Sequence, residues 1–216
     1  MNSKVYFLSG LGADSRTFSK LNLPFKDRIE HIEWIKPKSS DTIVSYAQKL
    51  IDHYAISEED TLVGVSFGGM MAIEINALIQ NKQTIIISSA ASNKEISGFI
   101  RATVWMRMNR LIPKSKLNKP NPFVRHGFGA KSKEDKRSLD NVISNTDVDF
   151  AYWAFEQIGK WDRKERSKGV IKIHGDQDKI IKINNQSSDY TVKNGGHMMV
   201  MNMAEEISQI LTDIID

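Results

Sequence analysis

The chain has 216 residues, of which 40% are hydrophobic and 26% charged, and this length suits one domain with one substantial core. Its 13 glycines and five prolines are too few for a collagen-like or low-complexity protein, and its apolar content is too high for an unstructured one. It contains no cysteine, which excludes disulfides, thiolate catalysis, cysteine-ligated zinc and iron–sulfur clusters.

The formal charge of +4 is unevenly distributed along the chain. Between Arg101 and Arg137, eleven lysines and arginines accompany only Glu134 and Asp135, so this stretch carries +9 and the remainder −5. A solvated helix face, a docking surface for an acidic leaving group and attraction to anionic membranes each explain such a stretch. We expect no nucleic-acid partner, because no basic module with stacking aromatic residues is evident and the rest of the chain is acidic.

Membrane insertion and secretion are not predicted. No stretch approaches the ~20 apolar residues of a membrane span, and the first apolar run, Val5 to Leu8, is too short for a signal-peptide core. We therefore expect a cytoplasmic protein without an integral membrane segment. The oligomeric state stays open, because no heptad pattern decides it.

Short apolar runs rich in β-branched residues alternate with segments of helical period. The central run, 84–88, is continuously apolar at its centre, which is typical of a strand covered by helices on both faces. Helical spacing behind Asp41, a candidate N-cap, predicts a helix through Tyr54, and residues 203–214 repeat the pattern. This alternation predicts a layered α/β fold with a parallel sheet. The predicted strands cover residues 4–8, 29–35, 61–65, 84–88, 170–174 and 189–193.

The 81 residues from Ser89 to Gly169 interrupt the alternation and are too many for a loop. Ser92 and Glu95 have capping-box spacing for a helix running toward Ile112. Further helices are predicted near residues 133–144 and 148–160. We expect this segment, residues 89–169, to form a helical cap over the sheet within a single domain of residues 1–216.

The sequence Gly-Val-Ser-Phe-Gly-Gly, residues 64–69, follows the third predicted strand and leads into a helix. A serine nucleophile on so sharp a turn needs small neighbours, because the backbone there is crowded and strained. A serine hydroxyl also needs a general base and a group that orients this base. The alternative is a glycine-rich turn that merely packs closely or binds an anion at the helix N-terminus.

Candidates for the base and the acid follow the last two predicted strands. His174, Asp176 and Asp178 come after the fifth strand, and His197 comes after the sixth strand and a glycine pair. The order serine, acid, histidine is that of the nucleophile-elbow fold, in which each residue lies on a loop after a strand's carboxyl end. We therefore expect three loops to meet at one edge of the sheet. Asp176 competes with Asp178 for the role of acid, although it suits a turn.

Other histidines and a metal site are the alternatives to a catalytic His197. Only His197 follows the last strand and a flexible glycine pair. A divalent metal held by His174, Asp176 and Asp178 is a further interpretation, but no second ligand cluster accompanies these residues. We predict no metal and no cofactor. The competing histidines are His31, His53, His126 and His174.

With these motifs the chain resembles a compact α/β-hydrolase over nearly its whole length. The resemblance implies that Ser66 is the nucleophile, Asp178 the acid and His197 the base. The first strand of this chain matches the family's third, so the resemblance implies a three-layer sandwich of six parallel strands. Their expected order is 2-1-3-4-5-6, with the cap inserted after strand 4.

The resemblance further implies an oxyanion hole formed by the backbone amides of Phe67 and Leu11. Many relatives have histidine where this chain has Ser9, so the hydrogen bonds that support the loop around Leu11 must differ. Apolar residues of the insertion are candidates for substrate binding, although they suit the insertion's own core equally well. These candidates are Trp105, Met106, Met108, Phe123 and Trp153.

Two hypotheses of different classes follow. In the first, Ser66 attacks an ester or thioester carbonyl while His197 takes its proton, so the protein is a carboxylesterase-like or thioesterase-like hydrolase of a small-molecule substrate. In the second, the protein is a hydrolase-shaped binding protein whose cap encloses a ligand while the triad is idle or slow. The sequence does not reveal the acyl group.

Overall fold

The computed structural model describes residues 3–106, 113, 118–182 and 188–215. Its centre is a six-stranded sheet in the order β2-β1-β3-β4-β5-β6, with every neighbouring pair parallel. The predicted strand order is confirmed. The strands are β1 (Val5–Leu8), β2 (Ile29–Ile32), β3 (Thr61–Val65), β4 (Gln83–Ile87), β5 (Val170–Gly175) and β6 (Tyr190–Val192).

Helices cover both faces of this sheet. No helix in the described ranges is long and apolar enough to span a membrane. The helices predicted near residues 133–144 and 148–160 are confirmed as helices over Lys133–Ser144 and Val148–Lys160. The α-helices of the described residues are α1 (Ile43–Tyr54), α2 (Phe67–Ile79), α3 (Gly98–Trp105), α4 (Pro122–Phe128), α5 (Lys133–Ser144), α6 (Val148–Lys160), α7 (Met199–Asn202) and α8 (Ala204–Ile214).

The two faces of the sheet bury different apolar clusters because successive side chains of a strand point to opposite sides. Tyr6 and Leu8 of β1 join the cluster formed with α1, α2 and α6. Val5 and Phe7 join the cluster formed with α7 and α8. The result is a three-layer sandwich of helices, sheet and helices.

The segment between β4 and β5 holds α3, α4, α5 and α6. Helix α6 places Phe150 and Trp153 in the cluster with α1 and α2. Helix α3 packs closely on α6, since a Cβ atom on Gly159 would lie 2.4 Å from a methyl group of Val104. Leu139 of α5 belongs to a smaller cluster with Met198. The segment is therefore anchored to the sheet chiefly through α6.

Helix α1 begins one residue later than predicted. Its N-cap is Thr42, which forms a reciprocal capping box with Ser45. Asp41 instead accepts hydrogen bonds from the Lys38 amide and from the Lys49 ammonium group. The prediction of Asp41 as N-cap is wrong because its carboxylate is held by these two lysines.

The capping box predicted at Ser92 and Glu95 is also wrong. A short 3₁₀ helix covers Asn93–Glu95, Ser92 makes no capping hydrogen bond, and α3 begins only at Gly98. Glu95 is instead buried in an ion pair with Lys172. A buried ammonium group requires a charged partner. The Glu95 carboxylate therefore pairs with Lys172 of β5 and does not cap a helix. The predicted extension toward Ile112 lies outside the described residues.

Candidate active site

Ser66 lies at the turn between β3 and α2 in a strained backbone conformation, with φ +53° and ψ −118°. The turn requires glycine on both sides. A Cβ atom on Gly64 would lie 2.3 Å from the carbonyl oxygen of Gly68, and one on Gly68 would lie 2.2 Å from the carbonyl oxygen of Leu8. The glycines therefore permit the close backbone contacts of the sharp turn that places Ser66 at the carboxyl end of β3.

Three loops bring Ser66, His197 and Asp178 together. The distance from His197 Nε2 to Ser66 Oγ is 3.0 Å, and that from His197 Nδ1 to Asp178 Oδ2 is 2.8 Å. When Nδ1–H donates to the carboxylate, Nε2 is free to accept the proton of the serine hydroxyl. The arrangement can move a proton from hydroxyl to imidazole, which is the activation that a serine nucleophile needs.

The carboxylate of Asp178 is fixed from both sides. Its Oδ1 accepts hydrogen bonds from the amides of Ile180 and Ile181, at 2.9 and 3.0 Å. Burial by itself raises the pKa of Asp178, but the hydrogen bonds from His197 and from the Ile181 amide hold it below its ordinary value. The group is therefore an anion at neutral pH, and it faces His197.

Asp176, the other candidate acid, does not contact His197. Its side chain is exposed, and its Oδ1 accepts the amide N–H of Asn194 at 2.7 Å. Within residues 3–106, 113, 118–182 and 188–215, no group of three or more histidine or carboxylate side chains is arranged to hold a metal ion. His174, Asp176 and Asp178 thus do not form a common ligand set.

The loop before His197 contacts the helical segment. The rings of Phe128 and His197 meet edge to face with centroids 5.0 Å apart. The Met198 amide donates to the Phe128 carbonyl oxygen, and a Cβ atom on Gly196 would lie 3.3 Å from that oxygen. Phe128, at the end of α4, therefore touches the candidate base. The sequence motifs missed this residue, because nothing local distinguishes it from other aromatic residues of the segment.

The loop after β1 lies beside Ser66. A Cβ atom on Gly10 would lie 3.7 Å from Ser66 Cβ. Phe67 is the first residue of α2, so its amide has no partner within the helix. Among the turn, loop and cap hydrogen bonds of the described residues, neither Phe67 nor Leu11 donates its amide. Two such amides are what an oxyanion hole requires.

Ser9 and Trp34 support this loop without a histidine. The Ser9 hydroxyl donates to the Ala13 carbonyl oxygen at 2.7 Å. The indole Nε1–H of Trp34 donates to Ser9 Oγ at 3.1 Å and to the Gly10 carbonyl oxygen at 3.2 Å. Sequence reasoning missed Trp34. The sequence placed Trp34 within the second predicted strand, residues 29–35, whereas β2 ends at Ile32 and Trp34 lies just beyond its carboxyl end.

Solved structures with the same architecture include a thermophilic esterase from Thermogutta terrifontis, with a TM-score of 0.73 at 14% identity, covering 100% of this chain and 90% of that one. An enol-lactonase from Burkholderia xenovorans LB400 has a TM-score of 0.68 at 14% identity, covering 100% and 92%. A lipase-esterase related protein from Clostridium acetobutylicum has a TM-score of 0.69 at 12% identity, covering 99% and 94%. The chain has the α/β-hydrolase fold.

This fold is the one that the sequence motifs predict. No protein-family model and no curated protein matches the sequence. At identities of 12 to 14%, the solved structures establish the fold and leave the activity to the residues of the site.

An aromatic cluster lies next to Phe67, the residue after Ser66. The Trp34 and Phe150 rings stack with centroids 4.9 Å apart, and the Trp34 ring is 5.7 Å from that of Phe67. Trp153, one of the predicted substrate-binding residues, is buried and meets Phe67 edge to face at 6.1 Å. The Trp153 indole N–H donates to the Asp41 carbonyl oxygen. Trp153 is thus a fixed part of the core, behind Phe67.

Three of the other predicted substrate-binding residues are largely exposed to solvent. The exposed fractions of Trp105, Met106 and Phe123 are 85%, 52% and 89%. Side chains this exposed do not line a closed acyl pocket. Met108 lies outside the described residues.

Proposed function

We propose that the protein is a serine hydrolase that cleaves a carboxylic ester or thioester of a small-molecule substrate through an acyl-enzyme intermediate. The observation that carries the proposal is the hydrogen-bonded line from Ser66 Oγ through His197 to Asp178. The names of the structurally similar proteins, which include esterases and an enol-lactonase, support the same reaction class.

In the first half of the proposed reaction, Ser66 Oγ attacks the acyl carbonyl carbon while His197 Nε2 takes the hydroxyl proton. Asp178 holds the imidazole in the required tautomer and stabilises the imidazolium. The amides of Phe67 and Leu11 donate to the developing oxyanion. His197 then gives its proton to the leaving alcohol or thiol, and the bond from the carbonyl carbon to the leaving group breaks.

In the second half, His197 deprotonates a water molecule, which attacks the acyl group on Ser66. The acyl–oxygen bond to the serine breaks, the proton returns to Ser66 Oγ, and the carboxylic acid leaves. Every proton in this cycle is carried by the side chains already described. The proposal therefore needs no cofactor.

Residues 89–169 act as a cap in this proposal, and they would select the substrate. The support is the contact of Phe128 with His197 and the position of Phe150 and Trp153 beside Phe67. Substrate binding by Trp105, Met106, Met108 and Phe123 stays a prediction. A panel of nitrophenyl esters and acyl thioesters of graded chain length would identify the preferred acyl and leaving groups.

A fluorophosphonate probe tests the activation of Ser66 directly, because it reacts with activated serines. We expect labelling of Ser66 in the folded protein and loss of labelling in His197→Ala. In Ser66→Ala, kcat for the preferred ester should fall on the order of 10⁶-fold, as found when a catalytic serine is removed from subtilisin.

Ser19→Ala is the matched control, because Ser19 is an exposed serine whose hydroxyl donates within its own turn. It should keep both labelling and turnover. Unlabelled wild-type protein, or unchanged turnover in Ser66→Ala, would contradict the hydrolase proposal and favour a hydrolase-shaped binding protein.

A further inference from the structure

One fully buried histidine takes no part in the proposed reaction. His174 lies near the end of β5 and is 0% exposed. Lys172, two residues earlier on the same face of the strand, is buried too and paired with Glu95. Burying a polar ring costs free energy unless the ring is hydrogen-bonded, so the partners of His174 indicate what it does.

The hydrogen bond of His174 fixes its tautomer. Its Nε2 lies 2.8 Å from the carbonyl oxygen of Ile181 and 3.5 Å from Asp178 Oδ2. Nδ1 is buried and has no hydrogen-bond partner among the described residues. A carbonyl oxygen only accepts hydrogen bonds, so Nε2 carries the proton and donates it to Ile181.

The surroundings of His174 keep the ring neutral. Its neighbouring charged or titratable groups are Asp178 and His197 on the side of the triad, and Lys172 with its partner Glu95 on the other side. Burial lowers the pKa of His174, and the ammonium group of Lys172 lowers it further, against the opposing effects of Ile181 and Asp178. The ring therefore presents an N–H group to the turn at Asp178 without adding a positive charge.

Ile181 is held at both of its backbone polar groups. Its amide donates to Asp178 Oδ1, and its carbonyl oxygen accepts from His174. The turn that carries the carboxylate is thus fixed to β5 by His174. Asp178 Oδ2 remains directed at His197 Nδ1, 2.8 Å away.

We propose that His174 is a positioning residue of the hydrolase: its Nε2–H fixes the turn of residues 178–181 and so holds Asp178 against His197. This inference rests on the proposed function of Ser66, His197 and Asp178. It predicts an effect on the rate of the chemical step and none on substrate binding, since His174 is sealed from solvent by the sheet and the turn.

Two substitutions test the role. His174→Gln keeps an amide N–H on a side chain of similar reach, whereas His174→Leu removes the donor. We expect His174→Leu to lower kcat about 10- to 100-fold with KM unchanged, because a displacement near 1 Å costs about this much. His174→Gln should recover most of the loss. Turnover is counted per serine labelled by the fluorophosphonate probe, so that unfolded molecules do not contribute.

His31→Leu is the matched control. His31 lies on β2, the edge strand farther from β5, and its Nδ1 is also buried without a hydrogen-bond partner among the described residues. This control should change stability and leave kcat per labelled serine as in the wild type. The positioning role is overturned if His174→Leu also keeps the wild-type kcat per labelled serine, or if glutamine restores nothing relative to leucine.

Nitrogen-15 NMR of the wild-type protein gives a test that needs no variant and no turnover. The His174 ring should be the neutral, Nε2-protonated tautomer throughout the pH range of activity. A cationic or Nδ1-protonated ring overturns the inference, whatever the outcome for Ser66. If the wild type is neither labelled nor active while this tautomer is observed, the proposed function fails, and the positioning role fails with it.

Discussion

The carboxyl edge of the sheet and the helical segment of residues 89–169 differ in how firmly they hold their side chains. At the sheet edge, Asp178 and His197 are 6% and 3% exposed, and both are fixed by hydrogen bonds. In the segment, Trp105 and Phe123 are 85% and 89% exposed. Catalytic geometry needs rigid support, and the sheet edge supplies it for Ser66, His197 and Asp178 in the proposed chemistry.

The segment itself has a fixed part and an open part. Phe150 and Trp153 of α6 are buried beside Phe67, whereas Phe99 and Trp105 of α3 and Phe123 of α4 face solvent. In the proposed function, the fixed part belongs to the reaction site. The open part contains the candidates for substrate selection, and the basic stretch of residues 101–137 belongs to the same segment.

Two aspartates of one loop should differ most in their effect on turnover. Asp178→Asn should lower kcat about 10⁴-fold, because an amide no longer holds the imidazole in the required tautomer. Asp176→Asn should lower it less than about threefold, since Asp176 is exposed and bonded to the Asn194 amide. Steady-state kinetics of both variants would check this. Similar losses in the two variants would contradict the assignment of the acid.

A pair of glycines compares the two regions in stability. Gly68→Ala should lower the free energy of unfolding by about 3 kcal/mol or more, because its Cβ would lie 2.2 and 2.3 Å from the carbonyl oxygens of Leu8 and Ser9. Gly98→Ala should raise it by up to about 1 kcal/mol, because nothing lies within 4 Å of that Cβ and alanine favours α3. Urea unfolding would measure both, and equal effects would show that the regions are equally tolerant.

The smallest effect concerns the pH dependence of stability. The pKa of His174 is lowered in the folded protein by burial, so the unfolded chain binds more protons below about pH 6.5, the ordinary value for histidine. The free energy of unfolding should then fall as the pH decreases below this value, by up to about 1.4 kcal/mol per pH unit for this group. His174→Gln should show a correspondingly smaller slope in chemical denaturation between pH 5 and 7. Identical slopes would mean that the buried ring does not titrate in this way.

The α/β architecture was predictable from local patterns. Apolar runs with β-branched residues indicate strands, helical spacing indicates the helices between them, and these periods need no knowledge of distant residues. The motif of residues 64–69 is equally local in sequence, and the crowding at Gly64 arises within the turn, from Gly68 and Gly69. The crowding at Gly68 comes instead from Leu8 and Ser9, at the end of β1. The two helix starts that were predicted wrongly, at Asp41 and Ser92, lie where a carboxylate has another partner. Asp41 pairs with Lys49 of α1, and Glu95 pairs with the distant Lys172 of β5.

The sequence pattern does not determine which distant side chains pair with each other. Contacts across the fold decide this. Ser66 and His197 are 131 positions apart, yet they share a hydrogen bond. The choice of Asp178 over Asp176 as the partner of His197 likewise depends on where two loops meet. Periodicity and short motifs report which face of an element is apolar and where the chain turns. Which side chains of different elements share a hydrogen bond is set only when the sheet aligns its strands and the helices close over it.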